Sequence, residues 1–425
     1  MSEYDKPIRV AIVGAGASGL LAAIAAARRG AAVTLLEHQE RVGSKILASG
    51  GGRCNLSNTL EPAEFMAAFG RQGRFLQNAL DALGCQELRE MLAELGVATM
   101  VEDSCGVYPA SGRADHVQQA LLARCEQLGV RIRLRTDVRE LILSAGSGHA
   151  VVRGVLTDQG PVEADRVIVA CGGKCYAALG ATSRGYELAE QAGHTVTPLL
   201  PAIVGLVTRE TWPGHCAGSS VRGARVWIDR TGQSKAGRIG DILFTHHGLS
   251  GPAVLDLSAD VAQLLQDQSS PVIVRLSVEP AATAATWQHR FDAWQQQQHG
   301  AKAVSSMLRA SLPQGLVQEL CRVADVPSAT PCAHLGRAHR DALAELLTEW
   351  PLTVTRTEGF ERAMVTRGGV KLKEVDPRTM ASRLAEGLYF AGEVLDLDGP
   401  CGGFHLQMAF STGYLAGESA SQPPE

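Results

Sequence analysis

Residues 8–37 read "IRVAIVGAGASGLLAAIAAARRGAAVTLLE", and three signals follow one another within them. Ile8 to Val13 is a short apolar, β-branched run, which suits a strand buried on both faces of a parallel sheet. Gly14, Gly16 and Gly19 then form G-x-G-x-x-G, enclosing Ala17 and Ser18, and Leu20 to Arg29 is a helical pattern that stops at Gly30. Gly14 permits a tight turn, Gly16 lets a pyrophosphate reach the backbone, and Gly19 lets helix and strand pack closely. The helix N-terminus faces the phosphate charge. A second strand, Ala32 to Leu36, ends at Glu37, the acid expected about twenty positions on to hold a ribose hydroxyl and to disfavour a 2′-phosphate. A lone glycine motif carries little weight. Strand, glycines, helix, strand and acid in this order predict dinucleotide binding, with NAD and FAD both still open because each presents adenosine diphosphate to such a unit.

The rest of the composition is that of an ordinary globular protein. At 425 residues the chain exceeds what one core usually organises, so two or three domains are expected. Hydrophobic residues make up 45% and charged residues 20%, and a net charge of −4 gives no general reason to expect a polyanion partner. The ten cysteines show no repeated C-x-x-C spacing and no signal peptide is evident, so they read as mostly reduced thiols of a cytoplasmic protein. Val10 to Ala27 is uncharged over about the length of a membrane helix, but its glycines and the strand before them argue against a membrane span.

Three further segments narrow the reading. They are "KILASGGGRCNLSN" at 45–58, "DILFTHHGLSGPAVLDLS" at 241–258, and "MVTRGGVKLKEVDPRTM" running into "GLYFAGEVLDLDGPCGGFHLQMAFSTGYLAG" over 364–417. With the first motif, these resemble the BaiN-like, or aminoacetone-oxidase-type, family of NAD(P)/FAD-dependent oxidoreductases, from about residue 8 to 418. The resemblance implies an α/β fold in which a Rossmann-like FAD-binding domain is built from both chain ends, with a β-rich domain and a helical subdomain inserted. The corresponding boundaries are 1–195 and 363–425 for the FAD domain, 196–280 with a return strand at 348–362 for the β-rich domain, and 281–347 for the helices. The chain's own pattern agrees. "RVIVACGGK" at 166–174 is a strand entering a glycine turn, and "GLYFAGE" at 387–393 returns to the buried parallel type after turn-rich and helical stretches.

The resemblance implies FAD as cofactor, and the chemistry can be followed along the chain. Gly50, Gly51 and Gly52 are expected to pass against the pyrophosphate and ribityl chain, with Arg53 and Asn55 adding charge and hydrogen bonds, and Lys45 as a further candidate. Ala170 and Gly172, in the second glycine turn, and Val138 are also placed on the cofactor side. Glu393, after Gly392, takes by resemblance the place of an acid that accepts from the ribityl hydroxyls; an acidic loop is the plain alternative. Gly402, Gly403 and Phe404 open a long apolar helix whose exposed N–H groups suit the pyrimidine edge of the isoalloxazine, where charge appears on reduction. A C-terminal packing helix would show the same pattern.

Three side chains are candidates for catalysis. His405 stands where the family pattern has Asn, and either donates a proton to substrate or replaces the amide as a hydrogen-bonding group. His246, beside His247 in a turn, is an acid, base or orienting group by resemblance, or a structural histidine. Tyr108, in "SCGVYPASGRADHVQQAL", supplies an O–H donor or packs a loop. Adjacent histidines point to opposite sides of an extended chain and no Cys/His cluster completes a site, so no metal is expected. Cys171 and Cys175 sit one residue too far apart for C-x-x-C; a helix start there would lower a thiol pKa. Cys54 reads as a small buried side chain. "GATSRGYELAEQAGHT" has Ser183 and Arg184 in place of the family's Gly and Asp, which puts any substrate transferred from relatives in doubt.

The expected function is therefore an FAD-dependent oxidoreductase acting on a small molecule, with NADH or NADPH as a transient donor that lacks its own Rossmann unit here. An alternative is a flavin-dependent RNA uridine reductase, in which Arg71, Arg74, Arg131, Arg133 and Arg135 meet phosphates, a solvated face being the plain reading for the last three. A non-catalytic flavin-binding regulator is the third.

Overall fold

The structure, a computed structural model, describes residues 6–102, 105–146, 149–230, 237–296 and 299–423. The chain forms two compact units, Met1–Leu199 together with Val365–Glu425, and Leu200–Met364.

The first unit is built on a five-stranded parallel sheet ordered Leu388–Phe390, Arg166–Val169, Arg9–Val13, Ala32–Leu36 and Arg131–Arg133. From Arg9–Val13 the chain first adds strands on one side and then returns to add them on the other. Order therefore reverses between Arg9–Val13 and Arg166–Val169, and ligands of such sheets lie beyond the carboxyl ends at that point. The register makes this edge level: Val13 lies opposite Leu36 and Val169, and Val169 opposite Phe390. Hence Gly14, Glu37, Ala170 and Ala391 each begin a loop on the same edge.

Two helices cover the sheet's centre. Ala17–Arg28 is buried from Ser18 through Ala26, which is why it reads as apolar all round rather than amphipathic. Phe404–Ala420 crosses it closely, since a Cβ on Gly413 would lie 2.2 Å from the Ser18 carbonyl oxygen and one on Gly417 2.2 Å from that of Ala22. Small residues on both helices allow that approach. Two small sheets complete the unit: Ser57–Asn58, Gly106–Pro109 and Thr99–Val101, and a meander of Val138–Ala145, Ala150–Thr157 and Gly160–Glu163 edged by Ala385–Glu386.

The second unit is a closed barrel of six antiparallel strands, ordered Leu206–Thr208, Gly248–Ser250, Arg238–Thr245, Ser220–Ile228, Val272–Ser277 and Trp350–Thr357. Closure leaves no open sheet edge. The helices Pro252–Gln268, Ala284–Gln296, Gln314–Val323 and Arg337–Glu349 share one apolar core with these strands, from Phe244 and Val354 in the barrel to Phe291, Leu320 and Leu343 on the helices. No helix among the described residues is long and apolar enough to cross a membrane.

Candidate functional site

The carboxyl edge of the parallel sheet gathers most of the residues singled out above. Gly14 has φ +102°, and its N–H donates to the Leu36 carbonyl at 2.8 Å, closing the turn onto the next strand. Gly19 touches that turn so closely that a Cβ would lie 1.8 Å from the Gly14 carbonyl oxygen. Gly16 is different: a Cβ there would meet no described atom within 4 Å, so its backbone faces open space. The first N–H groups of the Ala17–Arg28 helix, which no intrahelical carbonyl can satisfy, point the same way.

Glu37 is buried at 8% exposure, and its carboxylate accepts from Ala15 N–H at 2.8 Å and Gln39 N–H at 2.9 Å, with His38 Nδ1 at 3.0 Å. Burial alone would raise its pKa, but the His38 ring and these two amides outweigh it and hold the group below its ordinary value. It is therefore an ionised acceptor at neutral pH, suited to ribose hydroxyls. Thr136 N–H donates to the Glu37 carbonyl at 2.9 Å, which brings the buried Val138 strand up to the same end.

Lys45 and Glu393 meet across the edge. The Lys45 ammonium donates to Glu393 Oε2 at 2.9 Å, and Thr366 N–H donates to Oε1 at 2.8 Å. Gly43 N–H, at the start of the short helix Ser44–Ala48, donates to the Ala15 carbonyl at 2.9 Å and so ties Lys45 to the first glycine turn. Gly172 opens toward this pair, with Lys45 Nζ and Glu393 Oε2 each 4.0 Å from a Cβ placed on it. Ala170 is buried against Gly14, and Gly392 donates its N–H to Thr412 Oγ1 at 2.9 Å.

The three consecutive glycines have a conformational reason. Gly50, Gly51 and Gly52 take φ values of +57°, +67° and +87°, a left-handed run that residues with a Cβ rarely adopt. A Cβ on Gly51 would meet nothing within 4 Å. All three are exposed; a Cβ on Gly50 would crowd the Asn55 backbone nitrogen at 3.0 Å, whereas Gly51 and Gly52 leave bare backbone open to a ligand. Cys54, by contrast, is fully buried, and burial pushes its thiol up to about 12.

Asn55, Tyr108 and Gly403 come together. With its amide oriented to satisfy its neighbours, Asn55 donates to the Ser57 carbonyl at 3.2 Å, while its oxygen accepts from Gly403 N–H at 3.2 Å and Tyr108 O–H at 3.1 Å. The N–H of Gly403 is thereby taken by protein, and the helix start it precedes keeps the amides of Phe404 and the next residues. The Phe404 ring packs on Phe65 at 4.9 Å, leaving only its backbone for a ligand, and Gly402 accepts from Asn58 Nδ2 at 3.1 Å. Arg53 stacks over the Tyr108 ring at 4.4 Å and pairs with Glu102. Burial, then the Glu102 charge, raises the Tyr108 pKa, so the phenol stays protonated at neutral pH.

His405 Nε2 lies 2.7 Å from the Gly399 carbonyl. A carbonyl only accepts, so this nitrogen carries the proton and points it into the protein. A helix start does not activate the Cys171 thiol. Among the described cysteines there is no disulfide, and burial pushes Cys171 up to about 12, which overrides any helix-start effect. His246 belongs to the barrel unit, exposed with His247 in the turn between Arg238–Thr245 and Gly248–Ser250. Sequence reasoning missed Thr366, Glu102 and Thr412, because nothing marks a threonine or glutamate until its partner is known.

The residues at this edge fit FAD. Gly16 and Gly51 leave backbone open where a pyrophosphate would approach, two helix N-termini face the edge, and Glu37 and Glu393 are placed to accept from hydroxyls. The HI0933-like protein Rossmann domain family matches residues 8–419. The chain is 36% identical over 418 residues to a 3-dehydro-bile acid delta(4,6)-reductase of Clostridium scindens, covering 98% of this chain and 100% of that protein. It is 32% identical over 424 residues to a ribosomal RNA dihydrouridine synthase of Haemophilus influenzae, covering 99% and 100%. A crystal structure of a 3-ketosteroid-delta4-(5alpha)-dehydrogenase from Rhodococcus jostii RHA1 shares the fold, with a TM-score of 0.53, 18% identity, and 100% and 98% of the two chains covered. With a level sheet edge built for a dinucleotide and a match along nearly its whole length, this chain belongs to the HI0933-like family of FAD-dependent Rossmann oxidoreductases.

Proposed function

We propose that the protein reduces a carbon–carbon double bond conjugated to a carbonyl in a small molecule, with NADH or NADPH as electron donor. The observation that carries this reading is the protonated Tyr108 phenol, tied through Asn55 to the start of the Phe404–Ala420 helix. Bound FAD supplies hydride transfer. The chain's own residues hold and polarise: Glu37 and the Ala17–Arg28 helix start anchor the adenosine and phosphate groups, Lys45 and Glu393 the ribityl side, and the amides of the Phe404–Ala420 helix the pyrimidine edge. The single Tyr108 proton rests on Asn55 at 3.1 Å, so the phenol must turn from Asn55 to offer a proton or a hydrogen bond to a substrate carbonyl. The names of the two relatives share this chemistry, since a 3-dehydro-delta(4,6) bile acid and a uracil ring both hold a double bond conjugated to a carbonyl.

The purified protein should show a flavin spectrum that bleaches anaerobically with NADH or NADPH. Among enones, quinones, imines and uridine-containing RNA, enones should reoxidise it fastest, and Tyr108→Phe should slow that step about 100-fold. Reoxidation by every acceptor except enones would sink the proposal.

One feature favours RNA as a second reading. Arg71 and Arg74, on the Gly70–Leu76 turn, are exposed, and their side chains make no hydrogen bond or ion pair among the described residues. Arg135 pairs with Glu40 and Arg133 donates to Gln159, so those two are already engaged. If RNA is the substrate, Arg71→Gln/Arg74→Gln should weaken a ribosomal RNA gel shift and lower its salt slope by about 2. A wild-type protein that gives no shift at low salt removes this reading.

A further inference from the structure

His194 lies just beyond the helix Arg184–Gln191, with its side chain fully buried, and neither the cofactor contacts nor the proposed chemistry uses it. Its Nε2 is 2.6 Å from Ser382 Oγ. The direction of that bond follows from counting. Ser382 Oγ accepts from Leu384 N–H at 3.0 Å and from Ala385 N–H at 2.9 Å, which occupies both its lone pairs. Its single proton must therefore go to His194, and Nε2 is an acceptor. The neutral ring accordingly carries its proton on Nδ1, which faces Glu374 Oε2 at 3.5 Å without an aligned hydrogen bond.

The ring also touches the cofactor strand. It packs edge-on against Phe390 at 4.7 Å, and Phe390 closes the strand whose next residues are Ala391, Gly392 and Glu393. Glu374 is held by Thr195 N–H at 2.7 Å and Thr195 Oγ1 at 2.9 Å, so the 371–385 segment is fastened to the helix exit on both sides of the ring. Resting on the assignment of Glu393 to the ribityl side, we propose that neutral His194 is a positioning residue, an acid-releasable latch that fixes the Leu388–Phe390 strand and through it Glu393.

Protonation needs Nε2, the nitrogen already facing a hydroxyl oxygen with no free lone pair. The imidazolium can form only if Ser382 lets go of Leu384 and Ala385 or turns away. Burial opposes the charged ring and Glu374 favours it, and burial prevails, so the pKa is lowered. The other charges nearby are spoken for. Lys371 lies 3.6 Å from Glu374, and Asp376 faces Arg378 and Arg383. With the folded pKa below the unfolded one, the latch stabilises above the ordinary histidine range and is lost as pH falls through it. Glu374 is held below its ordinary value, against its burial, by the Thr195 hydrogen bonds and by Lys371, so it stays ionised beside the ring at neutral pH.

The test measures FAD dissociation and apoprotein melting against pH. Wild type should bind FAD about 10-fold more weakly at about pH 5 than at pH 7, and His194→Gln, which cannot titrate, less than about 2-fold more weakly. Ser382→Ala removes the hydroxyl donor and should move the step toward higher pH. Nitrogen NMR of labelled imidazole should show the Nδ1–H tautomer at neutral pH. An Nε2–H tautomer, or an unchanged pH profile in His194→Gln, overturns the latch. If the protein binds no FAD at any pH, the cofactor reading fails instead, and the melting profile and tautomer still judge His194.

Discussion

Gly16→Ala and Gly19→Ala add one methyl group each, three residues apart in the same motif, and are expected to fail in opposite ways. At Gly19 the new carbon would stand 1.8 Å from the Gly14 carbonyl oxygen, a backbone atom that cannot rotate away. Either the helix start or the turn must move, at a cost at or above the ~3 kcal/mol upper range for overpacking. The apoprotein should melt several degrees lower, and flavin should be lost with it. At Gly16 the backbone is extended, with φ −81° and ψ −165°, and a Cβ meets no described atom within 4 Å. Alanine adopts that conformation freely, so stability should change by less than about 0.5 kcal/mol. FAD affinity should nonetheless drop about 100-fold, because the methyl occupies the space a pyrophosphate needs. Flavin content and apoprotein melting temperature, measured on both variants, separate the two. Equal melting temperatures would show that the turn has slack the structure does not suggest.

The second large effect is at the Lys45–Glu393 pair. Lys45→Met leaves a carboxylate that is 13% exposed facing Thr366 N–H with its counter-charge gone. A partly buried, half-satisfied acid of this kind costs roughly 1–3 kcal/mol in the apoprotein. The anionic cofactor adds repulsion, so FAD affinity should fall about 100-fold, or ~2.7 kcal/mol. Glu393→Gln alone should cost less, since an amide oxygen can still accept from Thr366. The double variant is the informative one: it should bind FAD better than Lys45→Met because the stranded charge has been removed. Simple additivity of the two single effects would mean that the pair is not coupled.

Much of this site could be read from the chain because its devices are local. A strand, a glycine turn and a helix start lie within a dozen residues, and Gly14, Gly16, Gly19 and Glu37 announce themselves by spacing. The run at Gly50 to Gly52 was conspicuous, but its cause was not: sequence suggested a close approach, and the backbone shows three left-handed residues in succession. Long-range pairings were out of reach. Lys45 and Glu393 are 348 positions apart, and only the fold makes them partners. The barrel's closure depends likewise on Leu206–Thr208 pairing with both Gly248–Ser250 and Trp350–Thr357, which no local pattern encodes. His405 shows a third limit, since its role turns on which nitrogen is bonded to Gly399.

The crossing of Ala17–Arg28 by Phe404–Ala420 also sets an order of events during synthesis. The glycine turn leaves the ribosome early, but the strand Leu388–Phe390 and the helix that seals Ser18 and Ala22 leave only after the whole of Leu200–Met364. Until then the nascent FAD unit lacks a sheet edge and one of its two helix starts, and Ala17–Arg28 has an apolar face with nothing on it. The barrel unit can complete its own core first. Cofactor capture thus has to wait for the second part of the FAD unit, and a chain interrupted after Leu200–Met364 would carry a finished barrel core and a half-built flavin site.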